Sequence, residues 1–360
     1  MNFPDIQFET SYRKIFEKLG DLDPMSYGKT RNYIHGNVSY LSPYISRGVL
    51  STRMVFEHLQ EREIGVEQAE KFIQELAWRD FWQRKWQKQK TEIDRSEVIL
   101  QMPAPILNGN TGIEAIDQGI QHLYKTGYMH NHLRMYVAAI TCNYYQSHWL
   151  APALWMHAHL LDADWGSNAF SWQWVAGVNR SKKYIANQEN INTYCKTNQS
   201  GTLIDCSYEE LETLSAPSGS FEMVPLTLKN PAQQTNSLNI NDALDTCIYT
   251  PYNLDPNWRN SAEMNRVLLL DSQLLTAYPM GENTLNFLLE LGKNIANLQV
   301  FFGDYESLRK NNTLNTTYSK EHPLFDYPID VVDDRDWLSK EDLPFKSFFK
   351  FWKHLKKELV

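Results

Sequence analysis

Residues 72–83 read FIQELAWRDFWQ, and on a helix of about 3.6 residues per turn Phe72, Glu75, Arg79 and Trp82 share one face, with Trp78 beside them. A carboxylate, a guanidinium and large aromatic rings therefore project together. Two readings fit this stretch by itself. It is an amphipathic helix with core aromatics and an internal Glu–Arg pair, or it faces a polar ligand.

Three further stretches share this character. In GYMHNHLRMYVAA (127–139), Asn131, Arg134, Met135 and Ala138 form one stripe, so an amide and a guanidinium need either solvent or a polar partner. In HLLDADWGSNAFSWQWVAG (159–177), Asp162 and Asp164 stand where a helix begins, a place that favours negative charge. Asn168 and Trp172 share a face of that helix, and Trp174 points roughly away from Trp172. In NVSYLSPYISRGVLS (37–51), Ser39, Ser42 and Pro43 suit a helix start that takes either an ordinary cap or a phosphate.

Apolar spacing predicts helices over 8–19, 51–60, 66–89, 112–125, 128–146, 151–160 and 165–175, with no alternating strand among them. The expected fold is mainly α, an all-helical domain over 1–196. Residues 197–262, rich in Ser, Thr, Asn and Pro, are expected to be an irregular linker. Over 263–360 the short apolar runs RVLLL (266–270), LQVFF (298–302) and PIDVV (328–332) read as strands, and TLNFLLELGKNI (284–295) and KSFFKFWKHLKKEL (346–359) as helices. That alternation predicts a small parallel α/β unit. No glycine-rich phosphate loop follows its first run, which argues against a Rossmann-type nucleotide site.

The chain has 360 residues, 42% of them hydrophobic, with 11 Trp, 19 Tyr and 16 Phe, which suits core packing, base stacking or electron relay. Its net charge of −8 is uneven: residues 1–200 hold 21 Lys and Arg against 20 Asp and Glu, and residues 201–360 hold 14 against 23. The acidity lies in the C-terminal part and lends no support to nucleic-acid binding, which would need a local basic rim. Cys142, Cys195, Cys206 and Cys247 form no CxxC pair, which argues against a zinc ribbon or redox dithiol, and no metal is expected. With no membrane-length apolar stretch and no leader pattern, a cytoplasmic location is expected.

Taken in series, ELAWRDFW, GYMHNHLRM and DADWGSN...WQW resemble the FAD-binding domain of DNA photolyases and cryptochromes, from about Tyr27 to Trp174, some two-fifths of the chain. The resemblance implies FAD folded back on itself in a helical bowl, below a cavity for a flipped pyrimidine dimer. Tyr27, Ser39, Leu41 and Ser42 would contact pyrophosphate and adenosine, and Arg79 would be a further cofactor contact. Arg134 and Asp162 would pair beside the flavin ring, Asp164 would add another contact, and Asn168 would face flavin N5. Trp78 and Trp174 would be the aromatic walls around the dimer, with Met135 between them. Glu75 and Asn131 would hydrogen-bond the thymine edge and the adenine of the flavin. Trp172 and Trp149 would carry electrons to the flavin. Arg31 would contact DNA phosphate, and so would His132, although it replaces the usual Arg.

The resemblance therefore implies a monomeric, light-driven enzyme that repairs cyclobutane pyrimidine dimers in damaged DNA, the excited flavin lending an electron and regaining it. Its rival is a cryptochrome-like blue-light sensor without repair activity, supported by the negative charge and acidic C-terminal region. A (6-4) photoproduct enzyme is a third possibility, with His130 or His132 as lesion-pocket histidines. Three departures stand out. The third tryptophan of the usual relay has no counterpart in SEVILQMPAPILNGN (96–110), and NRSKKYIANQENIN (179–192) departs from the family's Phe-Asn-Pro-containing stretch. The usual N-terminal antenna domain does not precede Tyr27, so residues 263–360 are of the right type to stand in for it, reduced or permuted.

Overall fold

The computed structural model describes residues 3–4, 6–89, 98–178, 182–231, 237–341 and 345–360. Parts of the stretches 96–110, 179–192 and 231–243 therefore lie outside the described residues. The chain forms two compact units that interleave along the sequence. The first comprises Met1–Gln7, Lys29–Val38 and Ile93–Lys229, and the second Phe8–Gly28, Ser39–Glu92 and Asn230–Val360. The helical stretch expected as one domain over 1–196 thus contributes to both.

The first unit is helical, with Ala104–Asn108, Glu114–Thr126, Asn131–Ala139, Leu150–His159, Trp165–Ala176, Gln188–Cys195 and Tyr208–Thr213. Helix Glu114–Thr126 carries Glu114 and Asp117 in its first turn and stops at Gly127, whose φ of 72° is left-handed. A Cβ there would meet the Leu161 side chain at 2.7 Å, so the position needs glycine twice over. Helix Asn131–Ala139 continues as a π-helical turn, Ile140–Tyr144, where one continuous helix over 128–146 was expected. Two short strands not foreseen, β1 (Gln101–Pro103) and β2 (Met223–Pro225), pair antiparallel.

The second unit combines helices Tyr12–Gly20, Thr52–Glu61, Glu70–Gln89 and Phe348–Leu359 with a five-stranded sheet, all parallel. Its strands are β3 (Thr246–Tyr249), β4 (Asn265–Leu270), β5 (Leu298–Phe302), β6 (Thr317–Lys320) and β7 (Val331–Asp333), in the order β5-β4-β3-β6-β7. Every residue of β3 and β4 is buried, as central parallel strands require when both faces are covered. The expected parallel α/β unit is present, with two corrections. β3, β2 and helix Tyr208–Thr213 all lie inside 197–262, which was expected to be irregular. β3 is only four residues long, and β6 reads TYSK, a polar strand that buries Thr317 and Ser319, so hydrophobic runs reveal neither.

The chain winds from β3 through β4 to β5, then returns across the sheet to β6 and β7, so its strand order reverses between β3 and β6. Beside that reversal the turn at Gly48 meets the loop after β3. Gly48 has a φ of 67°, and a Cβ there would lie 2.4 Å from the Tyr252 carbonyl oxygen. Leu254 N–H donates to the Arg47 carbonyl at 2.9 Å in the same contact. Gly48→Ala is therefore expected to destabilise the protein by at least ~1–3 kcal/mol, read as a lowered melting temperature, and an unchanged melting temperature would refute this account of the turn.

Candidate functional site

Asp164 caps helix Trp165–Ala176, its carboxylate accepting the Ser167 N–H at 2.9 Å. Two residues earlier, Asp162 accepts from the Arg134 guanidinium at 2.9 Å, and Arg134 Nε donates to the Met129 carbonyl at 2.8 Å. Arg134 projects from helix Asn131–Ala139, so the pair joins that helix to the turn ahead of the next. The resemblance implied the Arg134–Asp162 pair, and the structure brings these two side chains together in the first unit.

The second Asp162 oxygen, Oδ1, is buried and has no hydrogen-bond partner. Burying an unmet carboxylate oxygen is costly, so this atom is suited to an N–H or O–H of a bound group. Asn168, from the same helix as the Asp164 cap, donates its amide N–H to the Ala153 carbonyl at 2.8 Å. That bond uses one of the two amide N–H donors and fixes the orientation of the side chain.

The tryptophans expected in the relay are buried: Trp149 is 5% and Trp172 2% exposed. Trp149 stacks with Trp165 at 6.4 Å between ring centroids, and Trp165 also meets His157 edge-on at 5.6 Å. Sequence reasoning did not single out Trp165. Trp174 is half-buried, its ring 5.8 Å from that of Tyr184, Met135 is half-buried, and Asn131 is exposed.

His132 plays an internal part rather than the phosphate contact expected of it. Its ring stacks on Tyr136 at 4.6 Å, Nδ1 lies 3.0 Å from the Asn32 carbonyl and Nε2 lies 3.4 Å from the Tyr184 hydroxyl. Burial lowers its pKa, so the ring is held neutral and offers a phosphate no cation. His130 caps the same helix by accepting the His132 N–H, and burial, with His132 and Arg134 close by, pushes its pKa down to about 4. Arg31 is half-buried in the same unit.

Glu75, Trp78 and Arg79 belong to the second unit, all half-buried on helix Glu70–Gln89. Trp78 is stacked face to face by Phe348 of the C-terminal helix, with centroids 3.6 Å apart and planes within 8°. That helix is anchored near the start of Glu70–Gln89, where Trp352 Nε1 donates to Glu70 at 3.3 Å and Lys356 lies 2.9 Å from Glu67. One face of the expected lesion wall is therefore covered by the chain itself. Arg79 donates to the Ile45 carbonyl at 3.3 Å. Tyr27 sits edge-on to Phe72 at 5.1 Å, Leu41 is buried, Ser39 is half-buried and Ser42 is exposed at the start of the five-residue helix Ser42–Ser46.

A family model described as the FAD binding domain of DNA photolyase matches residues 71–242. The chain is 30% identical over 181 residues to a deoxyribodipyrimidine photo-lyase of Alkalihalophilus pseudofirmus, covering 43% of this chain and 38% of that protein. It is 29% identical over 175 residues to a cryptochrome DASH of Natronomonas pharaonis, covering 44% and 36%. The chain thus spans less than two-fifths of either relative. A bacterial class III photolyase from Agrobacterium tumefaciens superposes with a TM-score of 0.46 at 24% identity, over 51% of this chain and 42% of that one. The cofactor is FAD, and the bare Asp162 Oδ1 beside Arg134 fits a group that carries N–H or O–H donors.

Asp162→Ala leaves Arg134 without its carboxylate and removes that acceptor, so the purified variant is expected to carry at most one-tenth of the wild-type flavin per chain, measured by absorbance. Retention of full flavin content would refute the assignment. His130 predicts a pH dependence. Its folded pKa is depressed, so the unfolded chain binds the extra proton first, and stability present above about pH 6.5 is lost as pH falls toward about 4. Urea midpoints at neutral and mildly acidic pH check this, and His130→Asn should flatten the difference. With its match over residues 71–242 and its ordered ELAWRDFW, HNHLRM and DADWGSN blocks, this part of the chain is similar to the FAD-binding domain of DNA photolyases and cryptochromes.

Proposed function

We propose that this chain is a cytoplasmic, monomeric flavoprotein that uses light to split cyclobutane pyrimidine dimers in DNA. The observation that supports the reading is Asn168, whose amide nitrogen is tied to the Ala153 carbonyl at 2.8 Å, which fixes the side chain. FAD, when bound, supplies the light-excited electron donor. In this reading the Asn168 oxygen accepts the hydrogen on N5 and favours the reduced cofactor that repair requires. Arg134 and Asp162 orient the flavin ring, Asp164 adds a contact, and Arg79, Tyr27, Ser39, Leu41 and Ser42 hold the rest.

On the same reading Trp78 and Trp174 sandwich the extruded dimer, Met135 packs between them, and Glu75 and Asn131 hydrogen-bond the thymine edge and the adenine. Trp172 and Trp149 conduct electrons inward, and Trp165, stacked on Trp149, extends the path that lacks a third family tryptophan. Arg31 contacts phosphate and positions the strand.

A second reading, a blue-light sensor without repair, is favoured by the Phe348 ring stacked on Trp78, which holds the place of a base. A dimer-containing oligonucleotide, reduced protein and light separate the two. Repair predicts light-dependent dimer loss, a drop of at least tenfold in Trp174→Ala, and a gain in Phe348→Ala, which uncovers Trp78. No dimer loss in wild type or in Phe348→Ala would sink the repair reading and leave the sensor.

A further inference from the structure

In a parallel sheet whose strand order reverses, the loops leaving the carboxyl ends of the two strands at the reversal part from each other and leave a crevice. Here the reversal lies between β3 and β6, and a cavity of about 80 Å³ opens beside it, wholly within the second unit. Tyr252 and Asn253 line it from the loop after β3, Lys320 and His322 from the end of β6, and Arg79 and Asp80 from helix Glu70–Gln89.

Asn253 is 3% exposed, and among the described residues neither its amide nitrogen nor its amide oxygen has a hydrogen-bond partner. It cannot easily turn away. Its backbone N–H is tied to the Thr250 carbonyl at 3.0 Å, and the next residue is tied to Arg47. The neighbouring wall is stiff, since Tyr252 and His322 stack at 4.3 Å with planes within 10°.

Two of the charges at the cavity are already answered. Lys320 lies 3.1 Å from Asp255, and the two Asp80 oxygens accept from Thr52 at 2.9 Å and from the Leu338 N–H at 2.7 Å. Asn253 adds a neutral pair, one donor and one acceptor side by side, with no partner among the described residues. The complement of that pair is the edge of a lactam, which offers a carbonyl oxygen next to an N–H. At about 10–15 Å³ per water, the cavity holds roughly six water-sized groups, enough for one six-membered ring and too little for a fused tricyclic system.

We propose that this cavity binds the lactam edge of a single-ring pyrimidine base, free or as its mononucleotide, with Asn253 as the reading residue. The site shares Arg79 with the proposed flavin contacts, but its reading residue, Asn253, is not one of them, and the inference does not depend on whether the protein repairs DNA. Calorimetric titration of the FAD-loaded full chain with uracil, UMP and inorganic phosphate tests it. Uracil or UMP is expected to bind, phosphate alone is not, and the ratio of the two affinities tells free base from nucleotide. Asn253→Leu, and Asn253→Asp, which keeps the size but loses the donor, should each weaken binding at least tenfold with flavin absorbance unchanged. If neither uracil nor UMP binds, if phosphate alone matches UMP, or if both variants that remain folded bind as wild type does, the proposal is overturned.

Discussion

A carboxylate taken out of water must find a cation or a hydrogen-bond donor, and Asp162 finds Arg134 across 28 positions of sequence. That pairing constrains the helical unit. It ties helix Asn131–Ala139 to the turn from which Asp164 caps the next helix, and that helix carries Asn168, Trp172 and Trp174. Only one Asp162 oxygen is used internally, and the other is buried with no partner among the described residues.

The second unit obeys a different constraint. A parallel sheet is buried on both faces, so it recruits helices from wherever the chain can supply them, and here they come from both ends of the sequence. Helix Glu70–Gln89, which carries Glu75, Trp78 and Arg79, belongs to that unit. The C-terminal helix packs on it and sets Phe348 against Trp78. An aromatic face is large and apolar, and in water it is covered by the best available ring. Here the chain supplies that ring itself, from Phe348.

Several features were legible from sequence for identifiable reasons. Helical spacing placed Glu75, Trp78 and Arg79 on one helix and Arg134 and Met135 on another, because the α-helical period is strict. Asp164 read as a cap and is one. The apolar run RVLLL became a fully buried central strand. Features that depend on partners distant in sequence escaped. β3 and β6 are too short or too polar to be seen before their neighbours are in place, and Trp165 does not stand out until Trp149 is found stacked on it. His132 looked like a weakened phosphate contact until Tyr136, Tyr184 and Asn32 closed round its ring.

Sequence alone determined the resemblance to the photolyase FAD-binding domain and the helices that carry its residues, since both rest on local order and spacing, which survive without knowledge of the fold. Tertiary structure decided the rest: the five-strand order with its reversal, the ring that covers Trp78, the oxygen left bare on Asp162 and the unmet amide of Asn253. Each of these is a statement about which groups are satisfied and which are not. Satisfaction depends on residues far apart in the chain meeting within hydrogen-bond or van der Waals reach, and no periodicity in the sequence encodes that distance.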